Sequence, residues 1–180
     1  RDRKKSLPKR PKAKSNAPLF TALFLMTVEI YTDGSSRGNP GPGGYGAILI
    51  YGQHTKELSA GFRKTTNNRM ELLAVIVSLE KLTREGLDVV VTSDSKYVVD
   101  AVEKGWVFNW ERKGFKKAKN PDLWRRFLKI YRKHNVKFEW VKGHNDHPLN
   151  ERCDELAVQA ALGYNLSIDE GYEQQSKGLF

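Results

Sequence analysis

The sequence predicts an α/β fold, one mixed sheet of five strands with helices packed on it. Three observations predict it. Three strand-like runs come first in the chain, two more alternate later with helical patterns, and one of these, Val89-Val90-Val91-Thr92, is continuously β-branched. An unbroken β-branched run suits a central strand covered on both faces, and strands followed by helix and strand alternation suit a single mixed sheet.

Residues 27–32, 46–51 and about 56–63 read as strands, each bounded by glycine or polar turn residues. Asn67–Leu82 reads as a helix that is apolar nearly all round, through Met70, Leu72, Leu73, Val75, Ile76, Val77, Leu79 and Leu82, and hence largely buried. After the Val89–Thr92 strand, helical patterns cover Ser95–Glu103, roughly 106–113 and Asp122–His134. A strand at Val136–Val141 and a final helix at Leu149–Leu162 follow. Residues 165–180 read as a loose, mildly acidic, flexible tail.

Composition bounds the function. The chain has 180 residues, 31 Lys+Arg against 21 Asp+Glu, a formal net charge of +10 and a single cysteine, Cys153. That length suits one domain. One cysteine leaves no internal disulfide framework and no multi-cysteine zinc site. The longest apolar stretch, Leu19–Val28, is broken by Thr21 and Thr27 and falls far short of the ~20 residues that span a bilayer. Excess basic charge suggests a polyanionic partner, but Arg1–Pro18 alone carries +7 and the remaining 162 residues only +3. Residues 1–25, with Pro8, Pro11 and Pro18, are expected to form a disordered basic arm. A basic stretch before an apolar one also describes a targeting signal; against this, no small-residue cleavage site follows and a strand begins at once. Met26 offers an alternative start, which would make the arm an extension of the domain.

Gly41-Pro42-Gly43-Gly44-Tyr45-Gly46 matches a dinucleotide-binding glycine motif by letter, but a strand follows it where that motif needs a helix. It reads better as a hairpin turn. The acidic residues are more informative. Asp33 and Asp94 each end a strand, and in open α/β sheets functional groups gather at the carboxyl ends of strands. Glu71 lies in the first turn of the buried helix, and Asp154 flanks the apolar stripe of the last one. Singly, each has an ordinary reading as a turn former, a complement to a helix dipole or a solvated flank. Cys153 reads as a buried small hydrophobe.

Together these residues sit in Tyr31-Thr32-Asp33-Gly34-Ser35, Asn39-Pro40-Gly41, Thr66-Asn67-Asn68-Arg69-Met70-Glu71, Thr92-Ser93-Asp94-Ser95, Trp140-Val141-Lys142-Gly143-His144 and Asn150-Glu151-Arg152-Cys153-Asp154. In that order they closely resemble type 1 ribonuclease H, over about residues 27–162. The resemblance implies a ribonuclease H-like fold, its five-stranded sheet flanked by helices on both faces, and a catalytic domain over 26–164. It implies a carboxylate set of Asp33, Glu71, Asp94 and Asp154 holding two Mg²⁺ ions, with Mn²⁺ substituting, and cleavage of the RNA strand of RNA/DNA hybrids to 5′-phosphate and 3′-hydroxyl ends. Two divalent cations about 4 Å apart would neutralise such a crowd of carboxylates and clamp the attacking and leaving oxygens.

The same resemblance assigns His144 to proton movement or product release, a task suited to imidazole near neutral pH. A zinc pair of His144 and His147 lacks further ligands in the sequence. The resemblance sets Gly34, Ser35, Asn39, Asn68 and Glu71 against successive 2′-hydroxyls, the groups that distinguish RNA from DNA. It puts Asn67 and Lys96 at further contact positions, Lys96 with a phosphate contact in place of a frequent glutamine. Lys64, Thr66 and Asn120 match a pocket that grips a DNA phosphate. Lys104–Lys119 carries +5, with Lys113, Lys116 and Lys117 interleaved with Trp106, Trp110 and Phe115. It resembles the family's basic protrusion, and a solvated charged helix with core aromatics is the plainer alternative. The implied protein is a cytoplasmic monomer with no membrane partner. The rival functions are a hybrid-binding module without catalysis and a DNA-cutting relative of the same superfold.

Overall fold

The computed structural model describes residues 27–143 and 147–178. The expected basic arm lies outside them. Five strands, β1 (Val28–Ser36), β2 (Gly41–Tyr51), β3 (His54–Thr65), β4 (Asp88–Ser93) and β5 (Asn135–Trp140), form one sheet in the order β3-β2-β1-β4-β5. β1–β2 and β2–β3 pair antiparallel, whereas β1–β4 and β4–β5 pair parallel. The sheet is therefore mixed, as the sequence predicts, with β1 and β4 adjacent at its centre. Six helices complete the described chain: α1 (Asn67–Glu80), α2 (Lys96–Glu103), α3 (Trp106–Arg112), α4 (Pro121–Tyr131), α5 (Pro148–Ala161) and α6 (Glu170–Lys177).

Strand alternation distributes the core over both faces. Ile30, Ala47 and Leu49 join the main core with α1, α2 and α4, built on Met70, Ile76, Val98, Trp124 and Phe127. Between them Tyr31, Ile48 and Ile50 point the other way and pack on Cys153 and Leu156 of α5. α1 is buried on nearly all sides because it lies between the sheet and α4. No helix among the described residues is long and apolar enough to cross a membrane.

Two expectations are corrected. The glycine-rich stretch 41–46 is not the hairpin turn but the first half of β2; the turn lies at 37–40, closed by Arg37 N–H donating to the Pro42 carbonyl at 2.6 Å. Two of these strand residues, Gly44 and Gly46, must be glycine because the backbone of α5 lies directly on them. A Cβ at Gly46 would collide with the Cys153 carbonyl oxygen, and one at Gly44 would sit 2.5 Å from that of Ala157. Gly46→Ala is accordingly expected to destabilise the fold by about 1–3 kcal/mol, read as a lowered urea midpoint at unchanged m-value.

The expected loose tail is also folded. Ser167 donates to Gly61 and accepts from Arg63 along β3, at 2.9 and 3.0 Å, and α6 follows with Asp169 as its N-cap. No residue of α6 is buried, so apolar periodicity carries no signal for it; charged contacts hold it instead. The Arg63 guanidinium makes two hydrogen bonds to Glu173, at 2.7 and 2.8 Å, and Arg69 binds Asp169.

Candidate active site

Asp33 does not end β1, which runs on to Ser36 against β2. It lies just past Thr32↔Ser93, the last parallel pair with β4. Asp94 is the first residue beyond β4. The strand-end rule thus holds for the pair of strands, and it places the two aspartates side by side. α1 starts with Thr66 as its N-cap, whose side chain accepts from Arg69 N–H at 3.3 Å; Glu71, expected in the first turn, lies just past it, because the helix begins at Asn67, and is carried in over β1.

Carboxylate oxygens of Asp33, Glu71 and Asp94 lie within 4.8 Å of one another. Asp33 is 6% and Glu71 5% exposed. Burial first, and then the charge of Asp94, push the Asp33 carboxyl up to about 7, although Gly34 N–H donates to its Oδ1 at 2.8 Å. Burial and then the charges of Asp33 and Asp94 hold Glu71 well above the ordinary range. Two buried carboxyls this close cannot both ionise cheaply. Glu71 Oε2 is buried without a hydrogen-bond partner. Such a cluster of oxygen ligands fits a hard divalent cation, which would neutralise the charge and occupy the orphaned oxygen. Asp154, half-buried on α5, stands outside this trio, yet its charge also raises Asp33. Its neighbour Cys153 is fully buried, and burial pushes its thiol up to about 12. That thiol is inert.

His144 lies outside the described residues. His147 is engaged as the N-cap of α5, its Nδ1 accepting from Asn150 N–H at 3.4 Å, with its ring 5.4 Å from that of Tyr31. Of the other predicted positions, Asn39, Thr66, Asn68 and Asn120 line one groove with Lys116 of the basic segment. Gly34 is buried and Ser35 half-buried on β1, and Asn39 Oδ1 accepts from Asn67 N–H at 3.2 Å. Asn68 and Lys64 are exposed. Asn120, with a left-handed φ of 56°, donates from Nδ2 to the Tyr97 hydroxyl at 3.0 Å.

In the basic segment Lys113, Lys116 and Lys117 are exposed, while Trp110 packs edge-on against the buried Trp124 with centroids 5.7 Å apart. Phe115 N–H donates to the Trp110 carbonyl at 2.8 Å, which fixes the turn carrying the lysines. Trp106 is 45% exposed, with the Lys104 ammonium 5.2 Å from its ring centroid. Trp110 and Phe115 thus brace the segment, and Trp106 is half outside it.

Two residues of the quoted motifs take roles that the sequence does not assign them. Trp140, 45% exposed, donates from its indole N–H to the Asp94 carbonyl at 3.0 Å, and the Lys96 ammonium lies 4.8 Å above its ring. It steadies the loop bearing Asp94 and holds Lys96 beside it. The place of Trp140, the last residue of a strand next to β4, was the available signal. Arg69, 1% exposed, joins α1 to α4 and α6; its signal is a cation in a helix whose other charged residues, Glu71 and Glu80, are acidic.

Comparison with known proteins now bears on this geometry. The RNase H family model matches residues 26–162. The chain belongs to the ribonuclease H family. The ribonuclease H of Desulforamulus reducens is 58% identical over 150 residues, covering 81% of this chain and 94% of that protein. That of Klebsiella pneumoniae is 54% identical over 158 residues, covering 85% and 100%. Among solved structures, LC9-RNase H1, a type 1 RNase H with the type 2 active-site motif, aligns with a TM-score of 0.69 at 35% identity, over 83% of this chain and 80% of that one. LC11-RNase H1 in complex with RNA/DNA hybrid aligns with a TM-score of 0.55 at 32% identity, over 74% and 96%. The ribonuclease H match spans all five strands and five of the six helices, leaving α6 beyond it.

Proposed function

We propose that this ribonuclease H hydrolyses the RNA strand of RNA/DNA hybrids, with Asp33, Glu71, Asp94 and Asp154 holding two Mg²⁺ ions. The observation that carries the reading is the clustering of the Asp33, Glu71 and Asp94 carboxylates, the first two of them buried, in a chain that also presents an exposed lysine segment. When bound, the metals supply Lewis acidity: they activate water and neutralise charge on the leaving 3′-oxygen, giving 5′-phosphate and 3′-hydroxyl ends. Asp33, within reach of Glu71 and Asp94 and sensitive to the charge of Asp154, would hold metal together with them. His144 moves a proton near the leaving group or aids product release. Gly34, Ser35, Asn39, Asn68 and Glu71 face the 2′-hydroxyls of the RNA strand, which discriminates against DNA at that position, and Asn67 makes a further contact with the hybrid. Lys64, Thr66 and Asn120 take a phosphate of the DNA strand, and Lys96, set over Trp140, another. Trp110 and Phe115 brace Lys113, Lys116 and Lys117, whose charges supply salt-sensitive affinity, and Trp106, beside Lys104, offers an exposed ring at the edge of the same surface. LC11-RNase H1, solved with such a hybrid, supports the same substrate class for this chain.

The test is a labelled hybrid in Mg²⁺ beside matched duplexes of DNA and of RNA. Cutting confined to the RNA strand of the hybrid is expected. Equal cutting of duplex DNA, or hybrid binding without cutting, would overturn the proposal in favour of a DNA nuclease or a binding module.

A second measurement probes how tightly the site is shaped. A Cβ at Gly143, in the loop after β5, would lie 2.5 Å from Asp94 Oδ2. Gly143→Ala therefore displaces the Asp94 carboxylate, and misplacing a catalytic group by about 1 Å costs on the order of 10²-fold in rate. The expected result is that loss in kcat with a melting temperature close to that of the parent; an unchanged kcat would show that Asp94 tolerates the shift.

A further inference from the structure

A groove of about 520 Å³ lies between the basic segment and the C-terminal helix. Thr66, Lys116, Lys119 and Asn120 line it on one side, and Tyr172 and Gln175 of α6 on the other; among the described residues, no acid lines it. This is not what the composition of α6 suggests. The segment from Asp169 to Glu173 carries three acids, each turned elsewhere. Asp169 accepts from Thr65 Oγ1 at 2.7 Å and from Arg69, Glu173 pairs with Arg63 at 2.7 Å, and Glu170 faces a separate cleft beside Arg126. Tyr172 and Gln175, three apart on one helix face, present the neutral donors to the groove.

We propose that α6 is the outer wall of this groove and that Tyr172 and Gln175 contact a backbone phosphate of the bound nucleic acid there. Two ammonium groups, side-chain amides and hydroxyls are the donor types that contact phosphate oxygens. Of the acids that would repel a phosphate, Asp169 and Glu173 are paired with arginines and Glu170 lines a different cleft. The proposal rests on the hybrid-cleaving function above and adds a binding element beyond the matched family region, which ends at residue 162.

The test uses the full chain with Tyr172→Phe and Gln175→Leu combined, which removes one hydroxyl and one amide and leaves Asp169, Glu173 and their arginines in place. Hybrid binding is measured in chelator, with single neutral methylphosphonate linkages moved along the DNA strand. The parent should lose affinity sharply at one position. The double variant should bind the unmodified hybrid about 5-fold more weakly and lose the response at that position, at an unchanged melting temperature and kcat but a raised KM. Its salt slope should match the parent's, whereas Lys119→Gln should lower the slope by about 1. Identical methylphosphonate profiles in parent and variant would overturn the proposal. A parent that fails to cut hybrids in Mg²⁺ sinks the functional reading instead, so the two failures are distinguishable.

Discussion

Asp33→Asn is expected to abolish turnover while making the metal-free protein more stable. The first effect follows from removing the central ligand of the carboxylate set, with a loss on the order of 10³-fold or more in kcat. The second follows from the price of crowding charges at this point. Burial and the neighbouring Asp94 raise the Asp33 carboxyl from 3.8 to about 7. A carboxyl whose folded value lies above its unfolded one opposes folding when ionised. The penalty is absent below pH 3.8, grows as the pH rises towards about 7 and is complete above that. Removing it should stabilise the chelated protein by on the order of 2–4 kcal/mol at pH 8, and by much less at pH 4.

Saturating Mg²⁺ should close that gap, because a ligand bound only by the native state stabilises the parent and the variant lacks part of its site. Thermal unfolding of both proteins, with and without chelator, measures all of this. A variant no more stable than the parent at pH 8 in chelator would show that the trio carries no electrostatic strain.

What the sequence made legible, and what it did not, follows from the range of the interactions. The β-branched run of β4, the parallel neighbour β1 and the strand-end position of Asp94 are local patterns, and they were enough to bring Asp33 and Asp94 together. Glu71 could be located near the start of a buried helix because the apolar run that marks that helix is also local. The glycines of β2 were misread because their meaning lies in the backbone of α5, about a hundred residues away, and no local rule distinguishes a turn glycine from one pressed by a helix. α6 was missed because its anchors are ionic: Arg63 and Glu173 are 110 positions apart, and Arg69 and Asp169 are 100 apart. Trp140 likewise shows its role only once β5 lies beside β4.

Arg69→Met is the substitution expected to cost the fold most. The guanidinium is 1% exposed and fully engaged. Its Nε and one terminal nitrogen donate to Asp169 at 2.7 and 2.8 Å, and its two terminal nitrogens donate to Asp122 at 2.9 and 2.7 Å. A longer bond of 3.4 Å reaches Asn120. Burial alone would raise the Asp122 carboxyl, but the hydrogen bonds and charge of Arg69 outweigh it and hold the group below its ordinary value. Methionine fills similar space and leaves two carboxylates, one of them buried, without their cation. Breaking a buried pair in this way costs about 3–5 kcal/mol.

The sign of the pH effect is fixed by the same contacts. The lowered Asp122 value contributes stability that is present above pH 3.8 and lost as the pH falls through the folded value. The variant lacks that contribution and can relieve its stranded charges by protonation, so its deficit should shrink as the solution becomes acidic. Adding Asp169→Asn to Arg69→Met should recover part of the loss, since the second change removes the buried charge that the first leaves behind. Urea unfolding of the single and double variants at neutral and acidic pH measures each step. A single variant within 1 kcal/mol of the parent would mean that the pair behaves as a surface bridge. In that case α6 is held by the Arg63–Glu173 contact and its pairing with β3 rather than through the helix that carries Glu71.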